Sequence, residues 1–185
     1  MMNTPYMPFY TKSATVCSIS ELGTVDSTVT RIVVANNCGN ENTASALYFT
    51  RFTQLKEIMI GDDCFMFVNQ LNLIGLSALK KVVIGENSFT KKKNGFGIEL
   101  NRRFFLKNCP SVRELRIGRY SFSDYSSAVI ENNDSLEVIE MGVLDQVSNT
   151  FYSTSLSLNS FHLVEVVYSR FAETHITCIW SFLLP

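Results

Sequence analysis

A short apolar pattern recurs along most of this chain and limits the folds open to it. The pattern is clearest in LKEIMIGDDCF (55–65), and it returns as LKKVVIGENSF and VRELRIGRYSF. Its first residue falls at Val29, Leu55, Leu79, Val112, Leu136 and Phe161, with spacings of 26, 24, 33, 24 and 25 residues. A period in this range indicates a repeat architecture in which each repeat forms one unit and neighbouring units stack.

Each repeat has the pattern of a short β-strand. Apolar residues occupy its first, fourth and sixth positions, as in Leu55, Ile58 and Ile60. The last two of these should face a core, and the residue between them should point outward. A glycine follows in four repeats, where we expect a sharp turn at positive φ: Gly61, Gly85, Gly118 and Gly142. Ser or Cys and then Phe come next in three repeats, so stacking predicts a Ser/Cys column and a Phe column.

A second extended stretch precedes each of four repeats, as in ALYFTRF (46–52) and RFFLKNC (103–109). The residue six positions before the repeat is apolar each time: Phe49, Leu73, Leu106 and Ile130. Helical spacing never persists for the length of an average helix. We therefore predict a mainly β fold with few helices, in which about six coils contribute two ladders of parallel strands around a thin apolar core.

These strings, the third of which continues as SDYSSAVIENNDSLEVIEMG, resemble the leucine-rich repeat family. Within it they are similar to the irregular class of bacterial surface protein A-like repeats found in protists. The resemblance covers about residues 28–171. It implies a right-handed solenoid that recognises other macromolecules, and it implies no catalytic residues. The chain departs from the family in lacking an asparagine ladder, in replacing the Ser-Phe pair with Asp145-Gln146 in the fifth repeat, and in having Val167 instead of glycine in the sixth.

The repeat leaves two end segments, 1–27 and 172–185, as candidate caps, because a stack exposes an apolar cross-section at each end. The apolar tail 176–185 is about half as long as a membrane span, so we expect it to cover the last coil. Contact with lipid and a chain that is a fragment of a longer array are the alternatives. A β-sandwich in which the matching letters are coincidental is the alternative fold.

Five scattered cysteines without paired spacing favour reduced thiols. They are Cys17, Cys38, Cys64, Cys109 and Cys178. No secretory signal is recognised in the first twenty residues, so the default expectation is a cytoplasmic protein.

Charge is segregated although the net charge is only −1. Residues 79–119 contain eleven Lys or Arg against three Glu, a local charge of +8. Neighbouring strands should pair some of these residues: Lys81 with Glu57 and Glu114, Arg113 with Glu137, and Arg116 with Glu140. Such exposed pairs contribute about 0–1 kcal/mol each, so they mainly favour one stacking order.

Two surfaces are candidate binding sites. The outward strand positions form one row: Val33, Met59, Val83, Arg116, Glu140 and Glu165. An apolar row beside an ion pair is typical of a protein-binding face, unless loops or the N-terminal segment cover it. The long third repeat, from Leu79 to the residue before Val112, adds TKKKNGFGIELNRR (90–103), whose candidate residues are Lys91, Lys92, Lys93, Phe96, Arg102 and Arg103. This segment could bind an anionic partner or be a solvated loop.

The leading hypothesis is a noncatalytic scaffold that binds another protein through the strand face and the 90–103 segment. The alternative is a binder of nucleic acid or an anionic membrane surface led by that segment. An enzyme is a third class, but no catalytic motif, cofactor motif or metal site is recognised. His175 and Cys178 are too few for a metal site, and the acid pairs Asp62-Asp63 and Glu137 with Glu140 should be solvated.

Overall fold

The computed structural model of the protein describes residues 12–42, 46–91, 99–143, 147–152, 154–160, 165–168 and 176–180. Its elements in chain order are β1 (Ser13–Val16), α1 (Ile19–Thr24), β2 (Arg31–Val34), β3 (Ala46–Tyr48), β4 (Glu57–Ile60), β5 (Gln70–Ile74), β6 (Lys81–Ile84), β7 (Glu99–Lys107), β8 (Glu114–Ile117), β9 (Tyr125–Glu131), β10 (Val138–Met141), β11 (Ser155–Ser160), β12 (Glu165–Tyr168) and β13 (Ile176–Trp180). The mainly β prediction with few helices is confirmed.

The strands form two parallel sheets between which the chain alternates from β2 onward. Sheet A has the order β1-β2-β4-β6-β8-β10-β12, and sheet B has the order β13-β11-β9-β7-β5-β3. Every neighbouring pair is parallel. Two ladders of parallel strands were predicted, and both are present.

The inner face of sheet A is built from the fourth and sixth positions of the repeats. Ile60 is the register partner of Ile84, and Ile84 is the partner of Ile117. All three side chains are buried. Because alternate residues of a strand face opposite sides, each of these strands buries its second and fourth residues and turns its first and third residues outward. The period-two pattern therefore identified the core side of this sheet.

Sheet B supplies the other wall of the core in the predicted register. Leu73 lies beside Leu106, and Leu106 lies beside Ile130. Each is at most 1% exposed. The position six residues before each repeat is thus a buried rung.

The predicted Phe column is present and is longer than predicted. Phe65 stacks on Phe89 with ring centroids 5.2 Å apart, and Phe89 stacks on Phe122 at 4.8 Å. Phe151 continues the stack 5.0 Å from Phe122. The prediction that Asp145-Gln146 occupy this position in the fifth repeat is wrong. Thr150-Phe151 takes this role because the connection after β10 is several residues longer.

The predicted Ser/Cys column is a hydrogen-bonded ladder. The Ser88 hydroxyl donates to the Gly61 carbonyl at 2.8 Å, and Ser121 donates to Gly85 at 2.7 Å. The Ser88 hydroxyl also accepts from the Cys64 backbone N–H at 3.1 Å. A side chain at this position satisfies polar backbone groups that burial would otherwise leave unpaired, which explains why Ser, Cys and Thr recur there.

Glycine after the sheet A strands has a different cause from the one expected. Of the four predicted glycines, only Gly142 has positive φ, at 79°. A Cβ atom on Gly85 would lie 2.6 Å from the Gly61 carbonyl carbon, and one on Gly118 would lie 2.6 Å from the Gly85 carbonyl carbon. Close approach of neighbouring coils, and not left-handed backbone, therefore requires glycine at these two positions.

A buried asparagine, Asn133, follows β9 on the opposite turn. The buried Asn133 amide donates to the Leu106 carbonyl at 2.9 Å and accepts from the Cys109 N–H at 3.0 Å. The Cys109 thiol lies at the preceding turn and is buried. Both polar atoms of the Asn133 side chain are therefore hydrogen-bonded to the backbone of neighbouring turns.

The sixth repeat is shifted by two residues from its predicted register. Ile139 pairs with Val166 and Glu140 pairs with Val167. The prediction aligned Ile139 with Val164 and Glu140 with Glu165, so that part of the alignment is wrong. The repeat lacks the glycine that marks the end of the strand in earlier repeats, and so nothing in its letters fixed the register.

Both end segments contribute strands to the sheets. β1 extends sheet A, and β13 lies at one end of sheet B beside β11. The short helix α1 follows β1, with the Ser18 hydroxyl accepting from the Glu21 N–H at 3.0 Å and the Glu21 carboxylate accepting from the Cys17 N–H at 2.7 Å. This arrangement resembles a capping box, and the letters SISE are its signature in the sequence.

A disulfide joins this first unit to the next one. Cys17 and Cys38 are bonded, and their Cα atoms are 4.6 Å apart. The expectation of reduced thiols is wrong for this pair, whereas Cys64 and Cys109 are free and buried. The two bonded residues follow β1 and β2, and stacking of those parallel strands brings them together despite 21 residues of separation.

Candidate binding surface

The outward row of sheet A is continuous across its central strands. Val33, Met59 and Val83 are register partners in β2, β4 and β6, and Arg116 and Glu140 continue the row in β8 and β10. Parallel strands lie about 4.8 Å apart, so the three apolar side chains span about 10 Å. The structure therefore brings together five of the six predicted residues of the strand face. The sixth, Glu165, lies in the neighbouring row as the register partner of Val138.

This row is accessible to different degrees. Val33, Met59, Val83 and Glu140 are half-buried, and Arg116 is exposed. The Arg31 guanidinium lies over the row, with Nη2 2.8 Å from the Met59 sulfur. Within the described residues, helix α1 contacts β1 and no other strand, so no described helix covers the apolar part of the row.

The neighbouring outward row carries charges of alternating sign. Arg31, Glu57, Lys81 and Glu114 are consecutive register partners. Arg31 pairs with Glu57 at 3.4 Å, and Lys81 pairs with Glu114 at 2.8 Å. Hydrogen bonds from Lys81 and then Arg116 hold the pKa of Glu114 below its usual value. The charged side chains of this row therefore neutralise one another in pairs.

Three of the four ion pairs predicted from the stacking order are found, one of them between Lys81 and Glu114; Glu57 pairs with Arg31 instead of Lys81. Arg116 pairs with Glu140 at 2.8 Å, and Arg113 pairs with Glu137 at 3.3 Å. Both members of the second pair are more than 60% exposed, so water screens it and its contribution is small.

The basic segment 90–103 is described only at its two ends. Lys92, Lys93 and Phe96 lie outside the described residues. Lys91 is exposed, and its ammonium lies 3.1 Å from the Glu99 carboxylate. Arg103 is exposed on the outer face of sheet B, between Gln70 and Ser127 in register. Of the predicted cations, Lys91 and Arg103 are therefore reachable by a partner.

Arg102 is not part of a binding surface, which corrects the prediction. Its side chain is 0% exposed and pairs with the equally buried Asp124 at 3.0 Å. Its Nη2 atom donates to three backbone carbonyls, those of Met66, Val68 and Phe89, at 2.8–3.1 Å. The residue links three successive turns inside the protein and has no surface left for a partner.

The surroundings of this pair are polar and fully buried. Burial raises the pKa of Asp124, and Arg102 opposes that increase. Tyr125 lies under the Arg102 guanidinium at 4.7 Å and donates its hydroxyl to the Val68 carbonyl at 2.6 Å. Burial also raises the pKa of Tyr125, so this phenol stays protonated. Sequence reasoning missed this network because Arg102 lies among surface-type letters.

A second partly exposed row, on the outer face of sheet B, was not predicted. Tyr48, Asn72, Phe105 and Val129 are consecutive register partners. Tyr48 is 58% exposed, and the Lys107 ammonium lies 5.3 Å from the Phe105 ring centroid. The sequence could have indicated this row, because its residues follow the buried Leu47, Leu71 and Phe104 at the next position along each strand.

The acidic residues considered for catalysis form hydrogen bonds and ion pairs within the fold. Asp62 accepts a hydrogen bond from the Glu86 N–H at 2.8 Å, within a turn of the stack. Glu137 and Glu140 are each used in ion pairs with arginine. Among the described residues, no group of three or more His, Cys, Asp and Glu side chains could hold a metal ion. His175 lies outside the described residues.

No helix in the described part of the chain is long and apolar enough to cross a membrane. Comparisons with protein-family models, curated proteins and solved structures find no match. The inferences about function therefore depend on the residues and geometry above.

Proposed function

We propose that the chain is a noncatalytic scaffold, a right-handed solenoid of about six leucine-rich-repeat coils, that binds another protein. Its binding face is the outward row of sheet A, supported by the basic segment 90–103. Tight repetition with close-packed turns suits such a role, because a rigid stack presents side chains at fixed spacing.

The observation that carries this proposal is the apolar run Val33–Met59–Val83 on an outer sheet face. Outward positions elsewhere on sheet A carry paired charges, as in the row from Arg31 to Glu114. An apolar centre with a polar rim is the usual anatomy of a protein interface. Arg116 and Glu140 supply that rim at one end, where they would orient a partner.

Binding of nucleic acid or an anionic membrane surface through 90–103 is the second candidate. The local charge of +8 in residues 79–119 supports it. The burial of Arg102 and the pairing of Lys91 with Glu99 argue against this second candidate, because they leave fewer cations for an anionic partner. The two candidates differ in salt dependence, since phosphate contacts weaken steeply with added salt and apolar contacts do not.

Affinity purification from the native cell at low and moderate salt, with a matched pair of variants, tests the proposal. Val83→Lys places a charge in the apolar run, and Val129→Lys places the same charge on the outer face of sheet B. We expect Val83→Lys to lose the partner that the wild type retains at moderate salt, and Val129→Lys to keep it. Equal retention by both variants would contradict the assigned face.

A third variant tests the basic segment separately. Lys91→Gln, Lys92→Gln and Lys93→Gln together should leave the melting temperature unchanged and weaken any salt-sensitive association. If this variant binds an anionic partner as tightly as the wild type does, the segment has no binding role.

A further inference from the structure

The outer face of sheet B carries an exposed arginine that has no partner within the fold. Arg103 lies in β7 between Gln70 and Ser127 of the neighbouring strands, and it is exposed. Within the part of the chain that the structure describes, its guanidinium has neither an ion pair nor a hydrogen bond. The other arginines of that part each have one or the other: Arg31, Arg51, Arg102, Arg113, Arg116 and Arg119. Arg103 therefore keeps its charge and its N–H donors available to a ligand.

Two aromatic side chains lie on the same face as Arg103. Phe105 is two residues further along β7, so it points to the same side of the sheet. Tyr48 is two strands away from Phe105 in the same row, with Asn72 between them, which places the Cα atoms of the two aromatic residues about 10 Å apart. Tyr48 is 58% exposed, whereas Asn72 is only 4% exposed, so its neighbours shield the amide. The rings therefore form the raised part of this face.

An ion pair holds one of these rings in place. The Lys107 ammonium lies 5.3 Å from the Phe105 ring centroid and 2.7 Å from the Glu131 carboxylate. A side chain that is already held by its neighbours loses less conformational entropy when a ligand binds. Because Glu131 neutralises Lys107, the charge that this face offers to a ligand comes from Arg103.

Amide and hydroxyl side chains make up much of the remaining outward surface of these strands. They are Gln70, Asn72, Ser127, Ser155 and Ser157. Such groups both donate and accept hydrogen bonds, as the hydroxyl groups of a sugar do. Serine is depleted in protein interfaces, so this composition favours a carbohydrate ligand over a protein surface.

We propose that this face of sheet B binds an acidic oligosaccharide, a chain of sugars that includes a uronic acid. The Arg103 guanidinium matches a carboxylate through two parallel N–H···O bonds. The faces of the Tyr48 and Phe105 rings carry negative charge density, which attracts the C–H groups of a sugar ring. Sheet B forms the wall of the core opposite sheet A, so this ligand goes beyond the proposed function and does not depend on it.

The charge pattern of this face is unsuited to nucleic acid. Proteins that bind single strands combine aromatic rings with a positively charged groove that follows the phosphate backbone. Here Lys107 is paired with Glu131, and Arg103 stands between two neutral side chains. One available cation matches one carboxylate and not a continuous row of phosphates.

Isothermal titration calorimetry with uronic-acid oligosaccharides tests this proposal. The probes are oligogalacturonate, oligomannuronate and a hyaluronan fragment. Each is compared with its methyl ester, which removes the charge and keeps the sugar chain. We expect the wild type to bind at least one acidic probe, and to bind the ester of that probe on the order of tenfold more weakly.

Variants of the wild type assign the binding to this face. Arg103→Gln and Phe105→Ala should each weaken binding of that probe on the order of tenfold. Arg103→Lys should recover only part of the loss, because lysine keeps the charge without the paired donors. The control is Arg113→Gln, which removes the same charge from an exposed residue beside sheet A and should bind as the wild type does. Melting temperatures measured alongside separate a lost contact from a lost fold.

Several results would overturn the proposal. They are no binding of any acidic probe by the wild type, equal binding of the acid and its ester, and equal affinities of Arg103→Gln and Arg113→Gln. Tighter binding of a Glu-rich peptide with the same residue dependence would overturn it too, because the face would then be a protein-binding surface. Val83→Lys should bind the oligosaccharide as the wild type does, so a failure of the sheet A face leaves these readouts unchanged.

Discussion

At the scale of single residues, the interior is ordered by columns of identical chemistry. Phe89 has a ring neighbour on each side, at 5.2 Å and 4.8 Å, and is fully buried. Offset stacking of rings adds about 0.5–1.5 kcal/mol beyond burial for each pair. Replacing a central member therefore removes contacts with two neighbouring turns at once.

Phe89→Ala should lower the free energy of unfolding by about 3–5 kcal/mol, because it leaves a cavity within the column. Phe105→Ala is the matched control, since Phe105 lies half-buried on the outer face of sheet B. Urea titration measures both. Equal losses for the two variants would show that the column is not the core of the fold.

The buried Arg102–Asp124 pair gives a second residue-scale prediction. Arg102→Met should cost about 3–5 kcal/mol, because it leaves the Asp124 carboxylate buried without its cation. Adding Asp124→Leu should recover much of this loss, since apolar replacements of buried pairs are often neutral. Chemical denaturation of both variants measures the recovery, and a double variant as unstable as the single one contradicts it.

The pH dependence of Arg102→Met follows from the same pair. In the wild type, burial raises the pKa of Asp124 and Arg102 lowers it, so loss of Arg102 raises the pKa further. A folded-state pKa above the unfolded value means that the folded protein binds more protons, and stability increases as pH falls between the two values. The deficit of Arg102→Met should therefore shrink at acidic pH.

At the scale of elements, the sequence predicted the strands well in repeats that have every characteristic position of the pattern: the apolar residues, the glycine and the Ser-Phe pair. The central repeats have apolar, glycine and Ser-Phe positions together, and β4, β6 and β8 pair in the predicted register. The sixth repeat kept only alternation, and alternation is unchanged by a shift of two residues. Its register was therefore not determined by its own letters.

The features that sequence reasoning missed depend on contacts across turns. Arg102 becomes a core residue because Asp124 and three carbonyls surround it. Cys17 and Cys38 meet because β1 and β2 stack. Neither proximity follows from local spacing, whereas the outward row of sheet A does, because strand periodicity alone assigns the facing of its residues.

The Cys17–Cys38 disulfide gives an element-scale prediction. It closes a loop with a sequence separation of 21 residues, so Cys17→Ser should cost about 3 kcal/mol. A reducing agent should lower the melting temperature of the wild type by a similar free energy and leave the variant unchanged. Equal effects of reductant on both would contradict the bond. Disulfides are typical of oxidising compartments. The bond therefore does not support the expectation of a cytoplasmic protein, which stays an untested prediction.

At the scale of the whole molecule, contacts run mainly between neighbouring strands of the two sheets. Inner strands such as β6 have hydrogen-bonded partners on both sides, whereas β1 lies at the edge of sheet A. An edge strand loses fewer hydrogen bonds when it opens than a strand paired on both sides does. Local opening should therefore be easiest at the ends.

Amide hydrogen exchange measured by mass spectrometry tests this gradient. We expect the slowest exchange in β4, β6 and β8, and faster exchange in β1, because edge strands open with less loss of pairing. Cys17→Ser should accelerate exchange in β1 and leave β6 unchanged. Uniform acceleration across both strands would indicate a single cooperative unit instead.

The rings of the Phe column sit on an unusual backbone. Phe65, Phe89, Phe122 and Phe151 have φ between 53° and 57°, a left-handed conformation that costs a bulky residue about 1–3 kcal/mol. Stacking against the neighbouring ring offsets that cost, and a synthetic peptide that contains a single member of the column has no such neighbour. Such a peptide should thus be unstructured in water, because its phenylalanine would keep the conformational cost and lose the contacts that offset it.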